Sequence, residues 1–193
     1  MQTHEHADLS NVLEDTVKLR KLEAKRDSFT EIAPDLIHTP RTTYIERLSQ
    51  YFEQTCDRRP DGIAIICGPS QLTYLELDYR ANRLAHLLME RGVENGKPIG
   101  ILLERSLDTY VALLGVLKAG AAFVPLDPSF PPDRVAFIAE DAGLQDLVTT
   151  TAFREKTQTL SCPVLELDEL TGALAVQPET RPEISIHPLS PCY

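Results

Sequence analysis

The sequence predicts an α/β fold, an open and mostly parallel sheet with helices on both faces. Three observations carry that expectation. Short apolar runs alternate with amphipathic stretches from Ile63 to Leu167, the order that parallel strands with crossover helices require. The runs are continuously apolar, as strands covered on both faces must be. Helix starts and stops are also explicit in the residue types at their ends.

The first helix is expected near Thr43, where Thr43 and Glu46 form a T-x-x-E capping box. Its stripe would be Ile45, Leu48, Phe52 and Cys56. Arg59-Pro60-Asp61-Gly62 reads as a turn, Ile63 to Cys67 as a short buried strand, and Gly68-Pro69-Ser70-Gln71 as another turn. Thr73 and Glu76 make a second capping box, with Leu72 and Leu77 at the positions of a hydrophobic staple. Leu77, Ala81, Leu84, Ala85 and Leu88 line that helix, and Gly92 ends it.

Pro98 to Leu103 reads as a strand, and Ser106 opens a helix with the stripe Leu107, Tyr110, Val111, Leu114 and Leu117, closed by Gly120. Ala121 to Leu126 is a further strand, with Pro125 near its exit. Pro131-Pro132-Asp133 starts a fourth helix, which Gly143 stops. Leu147 to Thr150 is a strand, Ala152 to Leu160 a short helix, and Val164 to Leu167 a last strand. Residues 1–40 read as a charged leader and 171–193 as a proline-containing linker or irregular extension.

Composition narrows the function. The chain has 193 residues, 42% hydrophobic and 25% charged, which suits a single soluble domain or most of one. No apolar run approaches the ~20 residues of a membrane span, and the amino terminus lacks the apolar core of a signal peptide. A cytoplasmic location is the resulting expectation. Nineteen basic against 29 acidic residues give a net charge of -10, which disfavours nucleic acid as a partner. The densest basic stretch, Lys18 to Arg26, is interleaved with leucines and reads as a solvated helix face. Cys56, Cys67, Cys162 and Cys192 form no CxxC pair and have no histidine at zinc-ligand spacing, so reduced thiols are expected and no metal ligands are assigned. Cys67 is expected in the core. His4 and His6 belong to a polar tail.

Motifs that carry chemistry are few. There is no GxGxxG, GxSxG or HExxH. Gly115 and Gly120 have the glycine spacing of a phosphate loop, but Ala121 and Ala122 stand where Lys and Ser or Thr belong. The glycines also close a helix, whereas a phosphate cradle opens one. Glu140-Asp141 and Asp168-Glu169 read as solvated acidic pairs.

Two stretches go further. Leu72-Thr73-Tyr74-Leu75-Glu76-Leu77, continuing through Asn82-Arg83-Leu84-Ala85, resembles the first core motif of the adenylation domains of nonribosomal peptide synthetases. Leu117 to Pro128 (LKAGAAFVPLDP) resembles their second core motif, and Phe130 to Val135 and Asp141 to Gly143 fit the same family. Order and spacing match from about Tyr44 to Thr150. The run from Asp127 to Arg134 resembles the peptide-synthetase branch of the adenylate-forming superfamily more than the acyl-CoA branch.

The resemblance implies an amino-terminal part of an adenylation domain over residues 41–170. The complete parent would activate an amino acid with ATP and Mg to aminoacyl-AMP and load it on the phosphopantetheine thiol of a carrier protein. The family's phosphate loop, of the form TSGTTGxPKG, and its later substrate and catalytic residues have no counterpart in this sequence. No catalytic, cofactor-binding or metal residue is therefore assigned, and the chain alone is expected to be inactive. Lys118 falls in the second motif, but its family role is not catalytic, and a lysine suits a helix carboxyl end. A stand-alone α/β binding or interaction module and a fragment of an acyl-CoA synthetase are the alternatives. The coding sequence beyond Tyr193 separates them.

Overall fold

The computed structural model describes residues 47–185 and 191–192. The expected Thr43–Glu46 capping box, the 1–40 leader, the basic stretch 18–26 and His4/His6 lie outside the described residues.

Helix α1 spans Leu48–Arg58 and starts after an extended Arg47, whose N–H donates to Gln50 Oε1 at 3.0 Å. Of the expected stripe, Cys56 is buried and Phe52 packs against the core, but Leu48 is 53% exposed, and the polar Ser49 and Glu53 are buried as well. Ile45 lies outside the described residues. The helix is turned toward polar partners because a buried cation lies beneath it.

Strand β1 (Ile63–Cys67) also departs from expectation. It pairs antiparallel with β2 (Ser70–Thr73) in a separate two-stranded sheet. One face of such a ribbon stays in water, so Ile66 is 70% exposed. Cys67 is only partly buried and contacts the Arg105 carbonyl. The turn between the strands is Gly68-Pro69, with Gly68 at φ 58°, so Ser70 and Gln71 belong to the strand instead. A positive φ followed by proline's locked negative φ is the sign pattern of a tight hairpin turn.

Helix α2 (Tyr74–Glu90) begins as its capping box dictates. The Glu76 N–H donates to Thr73 Oγ1 at 3.2 Å and the Thr73 N–H to Glu76 Oε2 at 2.8 Å. Leu72 and Leu77 are both buried beside it.

The main sheet contains β3 (Pro98–Ile101), β4 (Ala122–Pro125), β5 (Asp146–Thr149) and β6 (Val164–Glu166). All are parallel, in the order β4-β3-β5-β6. Helices α3 (Leu107–Lys118), α4 (Pro132–Asp141), α5 (Arg154–Thr157) and α6 (Thr171–Ala175) complete the elements. A 3-10 turn at Thr151–Phe153 leads into α5. The sheet is covered on both faces. Ile99, Ile101, Val148 and Leu165 pack with α2 and α3, whereas Leu102, Leu147, Val135 and Ala139 form a second cluster with α4.

Three helices end in the same way. Gly92, Gly120 and Gly143 have φ of 83°, 83° and 61°. Each donates back to the carbonyl three residues earlier, and the following residue donates five back. This paired closure needs a left-handed residue, which glycine adopts without a Cβ penalty.

The expected α3 stripe is rotated. Tyr110 is 42% exposed, and the buried positions are Val111, Ala112, Gly115, Val116 and Lys118. Small residues win because α2 and α3 approach closely. A Cβ on Gly115 would lie 2.9 Å from Leu84 Cδ2.

The proline-containing region is not a free linker. After α6 the chain forms a strap along α2. Asn82 Nδ2 donates to the Glu179 carbonyl at 2.6 Å, His86 Nε2 lies 2.9 Å from the Thr180 carbonyl, and Asn95 Nδ2 donates to the Ser185 carbonyl at 2.8 Å. Farther on, the Phe123 N–H of β4 donates to the Cys192 carbonyl at 3.1 Å.

Candidate functional site

In parallel sheets ligands sit outside the carboxyl ends of the strands, where neighbouring strands send their connections to opposite faces. Here β3 leads to α3 on one face, while its neighbour β5 leads to Phe153 in the α4 cluster on the other. A cleft of about 430 Å³ opens nearby between α2, α3, α6 and the ends of β5 and β6. Leu84, Val111 and Leu174 give it apolar surface, and Arg80, Arg83 and Asp108 are among its polar lining. Arg83 is already engaged, 2.6 Å from Glu179.

Beside the cleft, Asp168 accepts from Thr151 Oγ1 at 2.5 Å and from the Thr151 N–H at 3.0 Å. The Thr151 hydroxyl holds the Asp168 carboxyl below its usual range. Glu166 is held low by the Arg154 guanidinium, which it accepts from at 2.8 Å. The Asp168-Glu169 pair is thus a fixed structural corner in its first member, with Glu169 3.9 Å from Arg154.

The loop after β4 is built from the DPxxPxxR run. Asp127 Oδ1 accepts the Ser129 N–H at 2.8 Å, which lowers the carboxyl's pKa. Lys156 Nζ donates to the Phe130 carbonyl at 2.8 Å and also contacts the Pro128 carbonyl. Arg134 stacks 5.4 Å from the Phe137 ring.

Sequence reasoning missed the densest charge cluster. Lys118 is fully buried, with Nζ 2.5 Å from Glu53 Oε1 and 2.7 Å from Asp78 Oδ1. The expectation that a lysine suits the helix carboxyl end did not foresee this burial or these partners. Arg181 closes the cluster from the strap, with Nε 3.0 Å from Asp78 Oδ2 and Nη2 2.7 Å from Asp57 Oδ1. That hydrogen bond holds Asp57 below its usual range and raises the Arg181 pKa. Burial raises the Cys56 thiol beside them. The only available signal was polar spacing on α1 and α2, where Glu53, Asp57 and Asp78 have no basic residue three or four positions away.

Gly115 and Gly120 serve helix packing and helix closure, not phosphate binding. The four cysteines are free thiols. Among the described residues, no group of three or more His, Cys, Asp or Glu side chains is placed to hold a metal ion. No helix among them is long and apolar enough to cross a membrane.

The fold is that of a subdomain of an adenylate-forming enzyme. The family model described as AMP-binding enzyme matches residues 52–188, and the chain belongs to this family. It is 42% identical over 137 residues to a linear gramicidin synthase protein of Brevibacillus parabrevis, a match covering 71% of this chain and 2% of that protein. Surfactin synthase subunit 2 of Bacillus subtilis (strain 168) is 43% identical over 119 residues, covering 62% of this chain and 3% of the relative. Among solved structures, the nonribosomal peptide synthetase FmoA3 with α-methyl-L-serine-AMP bound matches at TM-score 0.69 and 30% identity. The match covers 80% of this chain and 17% of FmoA3. The N-terminal domain of FACL13 from Mycobacterium tuberculosis matches at TM-score 0.66 and 20% identity, covering 72% of this chain and 38% of that one. That likeness concerns the fold alone. The chain spans only 2–3% of the length of these two curated synthetases.

Proposed function

We propose that residues 41–170 with their extension form the amino-terminal part of a nonribosomal peptide synthetase adenylation domain. The observation that carries this reading is the 42% identity over 137 residues to a linear gramicidin synthase protein. In the complete domain the amino-acid carboxylate attacks the α-phosphorus of ATP and pyrophosphate leaves. The carrier's phosphopantetheine thiol then attacks the acyl carbon and AMP leaves. The rest of the adenylation domain and the carrier protein are the partners, the amino acid is the substrate, and the cytoplasm is the location.

This chain's contribution is scaffolding. A bound Mg ion offsets phosphate charge in such chemistry, but the described carboxylates of this chain form no cluster suited to it. The glycines with phosphate-loop spacing are committed to packing. Stabilising the charge that develops on transferring phosphates needs preorganised donors, and those are assigned to the remainder of the domain. The 193-residue chain is accordingly inactive alone. Amino-acid-dependent ATP–pyrophosphate exchange, run across an amino-acid panel, should stay at the no-enzyme level. Exchange from the purified chain would overturn this assignment.

A further inference from the structure

The loop between α2 and β3 carries an Asn-Gly pair. Asn95 precedes Gly96, whereas Asn11 and Asn82 precede Val12 and Arg83. Asn95 is exposed. The Lys97 N–H donates to the Glu94 carbonyl at 3.2 Å, so Asn95 and Gly96 are the central residues of a turn. Gly96 has φ 74°, and among the described residues only glycines have a positive φ, which is the sign pattern of a type II turn. The sequence thus sets a side-chain amide next to a backbone nitrogen that no Cβ shields. Such a pair can close to a succinimide without an enzyme.

Both reacting groups are tied. The Gly96 N–H donates to the Gly120 carbonyl at 2.8 Å. Asn95 Nδ2 donates to the Ser185 carbonyl of the strap at 2.8 Å. The Asn95 carboxamide also fills the space above Gly120. A Cβ on Gly120 would lie 2.3 Å from Asn95 Oδ1 and 3.3 Å from Ile184 Cδ1. One amide therefore meets both Ile184 and Ser185 of the strap at this point.

We propose that Asn95 is a site of spontaneous deamidation, held in check by these two hydrogen bonds, and that its conversion frees Ile184 and Ser185 from Gly120. The Gly96 nitrogen gives its proton to solvent base and attacks Asn95 Cγ. The N–Cγ bond forms, the Cγ–Nδ2 bond breaks, and Nδ2 takes up a proton from water and leaves as ammonia. Water then opens the ring to aspartate or isoaspartate. The departing nitrogen is the one that binds the Ser185 carbonyl. A negatively charged oxygen takes its place and faces that carbonyl oxygen, and isoaspartate also lengthens the backbone of the turn by a carbon. Arg181 on Asp57 and Glu179 on Arg83 anchor the strap elsewhere, so the release is local.

The test is peptide mapping by mass spectrometry on the full 193-residue chain, incubated folded and in guanidinium chloride at one pH and temperature. The unfolded chain should convert Asn95 ahead of Asn11 and Asn82. The folded chain should convert it too, about tenfold or more slowly, because both bonds must open first. Equal rates would overturn the hold. Conversion absent from either form would overturn the site. In Asn95→Asp, the NMR contact between the Ile184 δ1 methyl and the Gly120 Hα should be lost, while the Arg181 Nε–H signal keeps its wild-type position. A retained contact would overturn the release. Loss of both signals, or failure of Asn95→Asp to fold, would make Asn95 a brace of the whole fold and overturn the local effect.

Discussion

Lys118 and Arg181 share one carboxylate: Asp78 Oδ1 lies 2.7 Å from the lysine Nζ, and its Oδ2 lies 3.0 Å from the arginine Nε. Asp78 is 4% exposed at its side chain and Lys118 is 0%. A residue of α3 and a residue of the strap are thereby joined through a residue of α2. This relationship sets which substitutions the fold tolerates.

Removing Lys118 should be the most damaging single change in the cluster. Lys118→Met leaves Glu53 buried without its cation and Asp78 with Arg181 alone, and breaking a buried pair costs about 3–5 kcal/mol. The double variant with Glu53→Gln should recover part of the loss, because one stranded charge is gone. Urea midpoints check this. A single variant within about 0.5 kcal/mol of wild type would contradict the assigned role.

Gly115→Ala sets two effects against each other. Alanine favours a helix interior by about 1 kcal/mol over glycine. Its Cβ, however, would sit 3.0 Å from Leu84 Cβ, an atom no rotamer change moves. Overpacking costs about 1–3 kcal/mol, so net destabilisation is expected. A raised melting temperature would mean that α2 and α3 separate more easily than their packing indicates.

Thr73→Ala should cost about 0.5–2 kcal/mol by removing the α2 cap. Thr159→Ala, at an exposed position, is the neutral comparison. Equal denaturation midpoints for the two variants would count against the cap.

Two carboxylates should act on stability with opposite sign as pH changes. Arg181's hydrogen bond lowers Asp57 from its usual 3.8. Its contribution is present above that value and lost as pH falls through the folded pKa. Burial raises Asp146 from 3.8 despite Arg91 at 3.4 Å. Its ionisation therefore costs stability at neutral pH, and the cost is relieved as pH falls through its folded pKa. Asp146→Asn should raise the melting temperature at about pH 7, with the gain fading toward pH 3.8. Thermal melts across that range decide it. A lower melting temperature at neutral pH would show that the Arg91 pair outweighs burial.

What was legible in the sequence was local. Thr73 and Glu76 cap one another within four residues, and Gly92, Gly120 and Gly143 close helices from their own positions. The strand runs on both sides of β3 follow from apolar continuity. Long-range choices were not legible. Ile63 to Cys67 reads as a buried strand whether it joins the main sheet or a hairpin. Which layer buries the expected α2 stripe was not readable either: Leu84 and Leu88 are 1% and 0% exposed, packed with α3 and the sheet in one core. Nothing near Lys118 in sequence announces Glu53, 65 residues away, or Arg181 on the strap. The family motifs located the scaffold, and no residue of the chemistry was assigned within them.

The central claim is that this chain is an interchangeable scaffold for an adenylation domain whose substrate choice and catalysis lie elsewhere. A chimera tests it most directly. Residues 45–193 replace the corresponding segment in the matching adenylation domain of the linear gramicidin synthase protein with which the chain shares 42% identity over 137 residues. ATP–pyrophosphate exchange is then measured across an amino-acid panel. The account predicts exchange with the recipient's own amino-acid preference. A folded chimera with no exchange, or with a changed preference, would contradict it.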